Sequence, residues 1–145
     1  MAKSESELLM AINSRLRNFE SVGYRSSEVF CEDKSGTSFS YIPFKKISPM
    51  MEISLASFKF NIEKAKSRKE IAKACGMFWM NFISIHPFED ANGRTGIEYI
   101  RASLRSTDYE LIEPYFFKSY KMGIRTAEED FDHLSHLFLL SIKPL

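Results

Sequence analysis

One short segment holds most of the side chains in this sequence that could do chemistry. It reads HPFEDANGRTG from His86 to Gly96 and places an imidazole, two carboxylates, an amide and a guanidinium within nine positions. His86 is the natural general base, and a positioned base contributes roughly 10²–10⁴-fold in rate. The planar fork of Arg94 suits phosphate oxygens. The segment therefore predicts a site that holds an anion, such as a phosphate, beside a base.

A helical pattern starts directly after this segment and adds to its chemistry. Asn92 is a preferred N-cap residue, and Gly93 allows the backbone to approach a ligand closely. The free N–H groups of a first helical turn favour an anion by about 0.3–1 kcal/mol, and by up to ~2 kcal/mol in partly buried sites. Asp90 is a hard oxygen ligand next to that anion. Proteins often hold Mg²⁺ in this way, through one carboxylate plus substrate phosphates.

Ordinary structural roles also explain each of these residues taken singly. His86 would end a helix before a proline, and Asp90 and Asn92 would be turn formers. Arg94 would pair with Glu98 one turn later. Two other ligand loops are excluded, because the sequence has neither the Asp/Asn ladder of a calcium loop nor the Gly-Lys-Ser/Thr of a P-loop.

Length and composition indicate one globular domain and predict neither nucleic-acid binding nor a membrane-spanning segment. The chain has 145 residues and a net charge of +1, so no nucleic-acid footprint is expected. No apolar run approaches the roughly 20 residues that span a bilayer. The polar first residues predict that there is no signal peptide. Cys31 and Cys75 are far apart and predict free thiols in a reducing cytoplasm.

Apolar spacing predicts a mostly helical chain with one β-hairpin. Two helices begin with capping boxes, at Ser4 and at Thr126. Two β-prone runs with turn formers between them predict the hairpin over 28–42. The helices are predicted over 8–20, ended by Gly23, and over 50–66, 69–85, 92 or 93 to 106, 114–121 and a last stretch after Thr126. The helix over 69–85 is apolar widely enough to run through the middle of the bundle.

Taken whole, the segment resembles the signature of the Fic/Doc family, H-x-F-x-(D/E)-(G/A)-N-(G/K)-R-x-x-R. Seven positions match in order: His86, Phe88, Asp90, Ala91, Asn92, Gly93 and Arg94. The similarity extends to the stretch Gly23-Tyr24-Arg25, the hairpin and the long apolar helix, from about Leu8 to the C-terminus. It implies an all-α fold, a Fic-like helical bundle with a small β-hairpin flap, as a single domain over 1–145.

The resemblance also implies an activity, the transfer of AMP from ATP to a Thr, Ser or Tyr hydroxyl of a target protein. His86 would take the hydroxyl proton, and Asp90 would hold Mg²⁺ that bridges the α- and β-phosphates. Asn92 and the Gly93 backbone would cradle the α-phosphate, and Arg94 would contact the phosphates beyond it. Phe88 would point into the core and fix the loop, which spans 86–94. A flap of Val29, Phe30, Cys31, Phe39, Ser40 and Tyr41 would pair with an extended target segment by strand addition.

The sequence departs from the family pattern at one position, where Ile97 replaces the second arginine. Ile97 lines up with Ile100 and Leu104, which predicts a place in the core. In the family the missing arginine grips the terminal phosphate of ATP, so weaker ATP use, another donor and a decayed enzyme all stay open. Arg101 lies one turn further along and is a candidate substitute.

Two alternatives to AMP transfer follow from these residues. Gly93 favours nucleotidyl transfer over the Doc-like activity, a protein kinase that transfers the terminal phosphate, although the Asp-Ala-Asn run is shared with Doc. Ile97 favours a non-catalytic nucleotide- or partner-binding module. Neither end of the chain carries the family's inhibitory S/T-x-x-x-E-G/N pattern. A separate small, antitoxin-like inhibitory protein is therefore an expected partner.

Overall fold

The computed structural model describes residues 4–19, 23–32, 35–112, 120–121 and 125–145. This part of the chain forms five α-helices and two small antiparallel sheets. The elements in chain order are α1 (Glu5–Arg17), β1 (Phe30–Glu32), β2 (Ser38–Ser40), α2 (Ile47–Lys64), α3 (Arg68–Ile85), α4 (Asn92–Ser103), β3 (Tyr109–Leu111), α5 (Ala127–Ser141) and β4 (Ile142–Pro144). The predicted helical bundle with a hairpin is confirmed.

Helix α3 is the central element, as its wide apolar surface predicts. It packs against α2, α4 and α5. Its buried side chains include Phe78 and Phe82, and Phe78 stacks on Phe58 of α2 with ring centroids 4.6 Å apart. Burying one such ring is worth about 1.5–3 kcal/mol. Because His86 follows the last turn of α3, the best-packed helix of the fold carries the predicted base.

Capping residues set several helix ends. The hydroxyl of Ser4 accepts the Glu7 N–H at 3.2 Å, and Thr126 accepts the Glu129 N–H at 3.1 Å. Both predicted N-terminal caps are therefore confirmed. The prediction that Gly23 ends the first helix is wrong, because Asn18 takes the left-handed C-cap conformation with φ 59°. Asn is one of the few residues that tolerates this conformation.

The predicted hairpin forms, with strands shorter than the β-prone runs. Strands β1 and β2 pair antiparallel, with Cys31 opposite Phe39. A second sheet was not predicted: β3 pairs antiparallel with β4, with Leu111 opposite Ile142. Strands of three residues are too short to show an alternating pattern. No helix in the described ranges has the length and hydropathy of a membrane span.

The helix after the Asn92 segment is also shorter than predicted, because α4 ends at Ser103 and a 3₁₀ turn continues to Ser106. Another 3₁₀ turn, Phe44–Lys46, leads into α2. The helix predicted over 114–121 lies mostly outside the described residues.

Candidate active site

His86 is held by the C-terminal end of α3. Its N–H donates to the Phe82 carbonyl at 2.9 Å, and its backbone takes the left-handed conformation with φ 52° and ψ 62°. Pro87 cannot extend the helix. The chain therefore leaves the helix axis at His86 and starts the loop that leads to α4.

The aromatic ring of Tyr41 covers one face of the His86 imidazole. The two ring centroids lie 4.2 Å apart and the ring planes differ by 11°. Tyr41 directly follows β2, and its N–H donates to the Val29 carbonyl at 3.0 Å. The structure thus brings a predicted flap residue into contact with the predicted base.

Two effects lower the pKa of His86 below its ordinary value of 6.5. Burial disfavours the imidazolium, and the positive charge of Arg25 acts in the same direction. A lowered pKa means that the ring is neutral at pH 7. Neutral imidazole is the form that accepts a proton, so the environment suits His86 to act as a base.

Arg25 is a site residue to which sequence reasoning assigned no role. Its side chain is only 3% exposed, and its Nε donates to the His86 carbonyl at 2.7 Å. Its other donors also bind main-chain carbonyls, those of Ser27, Ile42 and Ile85. The sequence showed only an arginine within a stretch that resembles the family, and no spacing relates it to a histidine 61 positions away.

Phe88 and Asn92 fix the shape of the loop. Phe88 has no exposed surface, and its ring contacts those of Tyr24 and Phe82. The prediction that Asn92 is the N-cap is wrong: Ala91, with φ 62°, is the capping position, and Asn92 is the first residue of α4. The buried Asn92 amide accepts the Phe88 N–H at 2.9 Å and donates to the Phe88 carbonyl at 2.8 Å. Satisfying this buried backbone outweighs the capping preference.

The first turn of α4 presents donors that no other group uses. The first N–H groups of a helix have no intrahelical partner. Within the described residues, the main-chain N–H groups of Asn92, Gly93 and Arg94 have none elsewhere. The Arg94 side chain is exposed and pairs with no acidic residue of the described chain. The alternative that it pairs with Glu98 is wrong, because Glu98 pairs with Arg101.

Asp90 lies two residues before Asn92, the first residue of α4. One of the Asp90 carboxylate oxygens accepts the Ala91 N–H at 2.8 Å, and the other has no partner in the described chain. No three potential metal-binding residues cluster in the part of the chain that the structure describes. Asp90 therefore fits Mg²⁺ held by one carboxylate, phosphates and water, and not an ion enclosed by protein ligands.

Asn13 is a second residue that sequence reasoning missed, and it ties α1 to the loop. Its side chain has no exposed surface. Its Nδ2 donates to the Asp90 carbonyl at 2.9 Å and to the Thr95 hydroxyl at 3.0 Å. Its Oδ1 accepts from Arg17, which lies 3.9 Å from the Glu89 carboxylate. Helix α1 therefore braces the loop through Asn13, and nothing in the α1 pattern marks this.

Comparison with protein-family models gives a match to the Fic/DOC family over residues 4–104, which is more than half of the chain. The chain belongs to the Fic/DOC family. The match contains α1, the flap and the whole loop from His86 to Arg94. No curated protein matches the sequence significantly.

Solved Fic structures share the fold of this Fic chain at low identity. The N-terminal Fic domain of a putative cell filamentation protein from Bartonella quintana gives a TM-score of 0.71 at 17% identity, over 96% of this chain and 71% of that chain. BepC from Bartonella tribocorum, solved with bound AMPPNP, gives a TM-score of 0.66 at 17% identity, over 98% of this chain and 75% of that chain. A Fic-domain signaling protein from Bacteroides thetaiotaomicron gives a TM-score of 0.66 at 18% identity, over 95% of this chain and 60% of that chain. The chain thus spans 60% of the length of the Bacteroides protein.

The structure places Ile97, the departure from the Fic signature, inside the core. Ile97 is 3% exposed, as its alignment with Ile100 and Leu104 predicts. Arg101, the candidate substitute for the missing arginine, is engaged by Glu98. This Fic chain therefore has one arginine, Arg94, on the α4 turn beside the loop.

The flap of this Fic domain combines exposed and partly covered residues. Phe30 is 67% exposed, Ser40 is exposed and Val29 is partly buried. Cys31 and Phe39 pair through their backbones, and their side chains lie outside what the structure describes. Among the flap side chains that the structure describes, that of Tyr41 stacks on His86, the predicted base.

Proposed function

We propose that this chain is a protein adenylyltransferase, which transfers AMP from ATP to a Thr, Ser or Tyr hydroxyl of a target protein. The observation that carries the proposal is that one loop joins His86, whose pKa is lowered, to a helix turn whose first N–H groups have no partner in the described chain. His86 supplies the base, and Arg94 with the first N–H groups of α4 supplies the anion site. The AMPPNP bound to the related BepC fold supports a nucleotide ligand.

The described residues suit each part of such a transfer. Neutral His86 accepts the proton of the target hydroxyl, whose oxygen then bonds to the α-phosphorus of ATP. The bond from that phosphorus to the bridging oxygen breaks, and pyrophosphate leaves. Arg94 and the main-chain N–H groups of Asn92 and Gly93 bind phosphate oxygens, where negative charge increases in the transition state.

Asp90 would hold Mg²⁺ through its second carboxylate oxygen. When bound, the ion would neutralise charge on the phosphates. The Asp90 backbone is kept in place by Asn13, and the adjoining Ala91 N–H fixes one oxygen of the carboxylate. This arrangement restricts where a metal is held and so where the phosphates lie.

The flap supplies the docking surface in this proposal. An extended segment of the target adds to the flap by strand pairing, beside Val29, Phe30 and Ser40. Tyr41 connects that surface to the base through the ring stack. A small inhibitory protein remains a second proposed partner of this chain.

Labelled nucleotide tests the proposal directly. The protein is incubated with Mg²⁺, candidate lysates and ATP that carries the label at the α- or the γ-phosphate. We expect protein label from the α-phosphate that His86→Ala abolishes and His136→Ala, a change of an exposed histidine on α5, retains. Label from the γ-phosphate alone would establish the kinase alternative. With wild-type protein, no label from either position would refute transfer.

The burial of Ile97 favours a second candidate, a nucleotide- or partner-binding module without turnover. Such a module binds ATP or a partner protein equally well in wild type and in His86→Ala, because the base is not used. Calorimetric titration with ATP separates the two candidates when combined with the label. Binding without label, and no label in Ile97→Arg, supports the module. A gain of label in Ile97→Arg would show that the wild-type protein lacks only the arginine contact with the terminal phosphate of ATP.

A further inference from the structure

Arg25 lies where the two ends of the flap meet the end of α3. Its guanidinium donates to the Ser27 carbonyl at 2.9 Å, before β1, and to the Ile42 carbonyl at 2.6 Å, after β2. The same group donates to the carbonyls of Ile85 at 3.3 Å and His86 at 2.7 Å. The Arg25 N–H adds a bond to the Pro87 carbonyl at 2.7 Å.

The partners of Arg25 are groups that need a donor of this kind. The last carbonyls of an α-helix have no intrahelical partner and carry the negative end of the helix dipole. A buried guanidinium, only 3% exposed, satisfies two such carbonyls and two from the flap at once. Its planar fork makes this possible, whereas a lysine ammonium is a single point with a flexible stem.

We propose that Arg25 is a positioning residue, which fixes the flap against His86 and so sets the stack of Tyr41 on the imidazole. The inference rests on the proposed role of His86 as the base. Tyr41 precedes Ile42, whose carbonyl Arg25 holds, and His86 presents its own carbonyl to the same side chain. One side chain therefore controls the backbone next to both rings of the stack, which lie 4.2 Å apart.

A spectroscopic signature separates positioning from simple stabilisation. A stacked phenol ring shifts the ¹H signals of the His86 imidazole upfield, and Tyr41→Leu identifies that shift by removing it. We expect Arg25→Lys and Arg25→Ala to lose most of the shift while the methyl signals of the core around α2 and α3 stay in place. The matched control is Arg68→Ala, because Arg68 also donates to main-chain carbonyls, of Leu139 and Ile142, at the other end of α3.

Amide hydrogen exchange gives a second measurement that needs no turnover. Hydrogen bonds from a charged donor are strong enough that their loss speeds local opening by about tenfold or more. We expect such an increase over 28–32, 38–42 and 86–90 in Arg25→Ala, with α2 unchanged. Arg68→Ala leaves these segments as in wild type.

An activity assay is the third test, and it distinguishes the proposal of AMP transfer from the proposal that Arg25 is a positioning residue. With α-labelled ATP, Arg25→Ala and Arg25→Lys are each expected to lose kcat at least tenfold, and added guanidinium restores part of the loss in Arg25→Ala. A wild-type protein without label would refute the transfer but not the positioning, which the spectra and the exchange test alone. An unchanged His86 shift with unchanged flap exchange in Arg25→Ala overturns the inference. Equal acceleration in α2 and the flap, or a misfolded Arg25→Lys, overturns it too, because Arg25 would then hold the whole fold.

Discussion

Replacing Asn13 with alanine removes the side chain that ties α1 to the loop from His86 to Arg94. Asn13 is fully buried and donates to the Asp90 carbonyl and the Thr95 hydroxyl at 2.9 and 3.0 Å. Each such bond contributes about 0.5–1.5 kcal/mol, and a buried group left unpaired costs about 1–3 kcal/mol. We expect Asn13→Ala to lower the free energy of unfolding by about 2–4 kcal/mol, a large part of the roughly 5–15 kcal/mol of a typical domain.

A double-mutant cycle isolates the bond from Asn13 to Thr95. Thr95→Val keeps the side-chain shape and removes the hydroxyl, so the coupling energy of the pair is expected at about 0.5–1.5 kcal/mol. Urea unfolding can be followed by the fluorescence of the single tryptophan, Trp79, which is 2% exposed. Asn61→Ala on the exposed face of α2 is the matched control and is expected to stay within about ±0.5 kcal/mol.

Two results would refute this reasoning. The first is an Asn13→Ala protein as stable as Asn61→Ala, which would show that the buried amide contributes no net stability. The second is a coupling energy below about 0.3 kcal/mol, the usual limit of additivity for independent sites. In that case Asn13 and Thr95 would act separately, and α1 would not brace the loop through this bond.

Three further predictions follow from burial and close packing. Because the pKa of His86 is lowered from 6.5, the imidazole takes up a proton at higher pH in the unfolded chain than in the folded chain. The free energy of unfolding is therefore expected to fall as the pH drops below about 6.5. An NMR titration that gives His86 a pKa at or above 6.5 in the folded protein would contradict this prediction. Gly96→Ala places a methyl group 3.0 Å from the Phe82 ring and is expected to cost about 1–3 kcal/mol in urea unfolding, whereas Gly23→Ala, which meets nothing within 4 Å, costs less than half as much. Burial raises the pKa of the Cys75 thiol, so iodoacetamide followed by peptide mass analysis should modify Cys75 only after unfolding, and rapid labelling of folded protein would contradict its burial.

The sequence was sufficient for the long helices, the hairpin and the residues that lie within one loop, but not for the second sheet. Helical spacing located α2 and α3, because their buried stripes are long and regular. The order of residues from His86 to Arg94 located the site, since a motif records neighbours along the chain. The ends of elements were less accurate, as Asn18 shows, because a cap depends on one local backbone angle.

The residues that sequence reasoning missed act across the fold. Arg25 and Asn13 reach the loop from positions 61 and 77 residues away, and no spacing rule covers such contacts. Asn92 shows the opposite case. Asparagine commonly caps helices, but here its side chain instead forms hydrogen bonds with the buried N–H and carbonyl of Phe88. Long-range polar contacts to backbone groups were thus the part of the site that only the structure could supply.

The stack between Tyr41 and His86 has a consequence for the cost of reaching the reactive geometry. A ring that is covered on its face keeps its nitrogen atoms, which lie in the ring plane, accessible at the edge. Rotation about the side-chain torsions would otherwise allow many orientations of the imidazole plane. The stack with Tyr41 therefore fixes this orientation before a target protein binds. If His86 is the base of the proposed transfer, the entropy of orienting its ring is lost on folding and not during the reaction, and an incoming hydroxyl would meet a lone pair that already points in one direction.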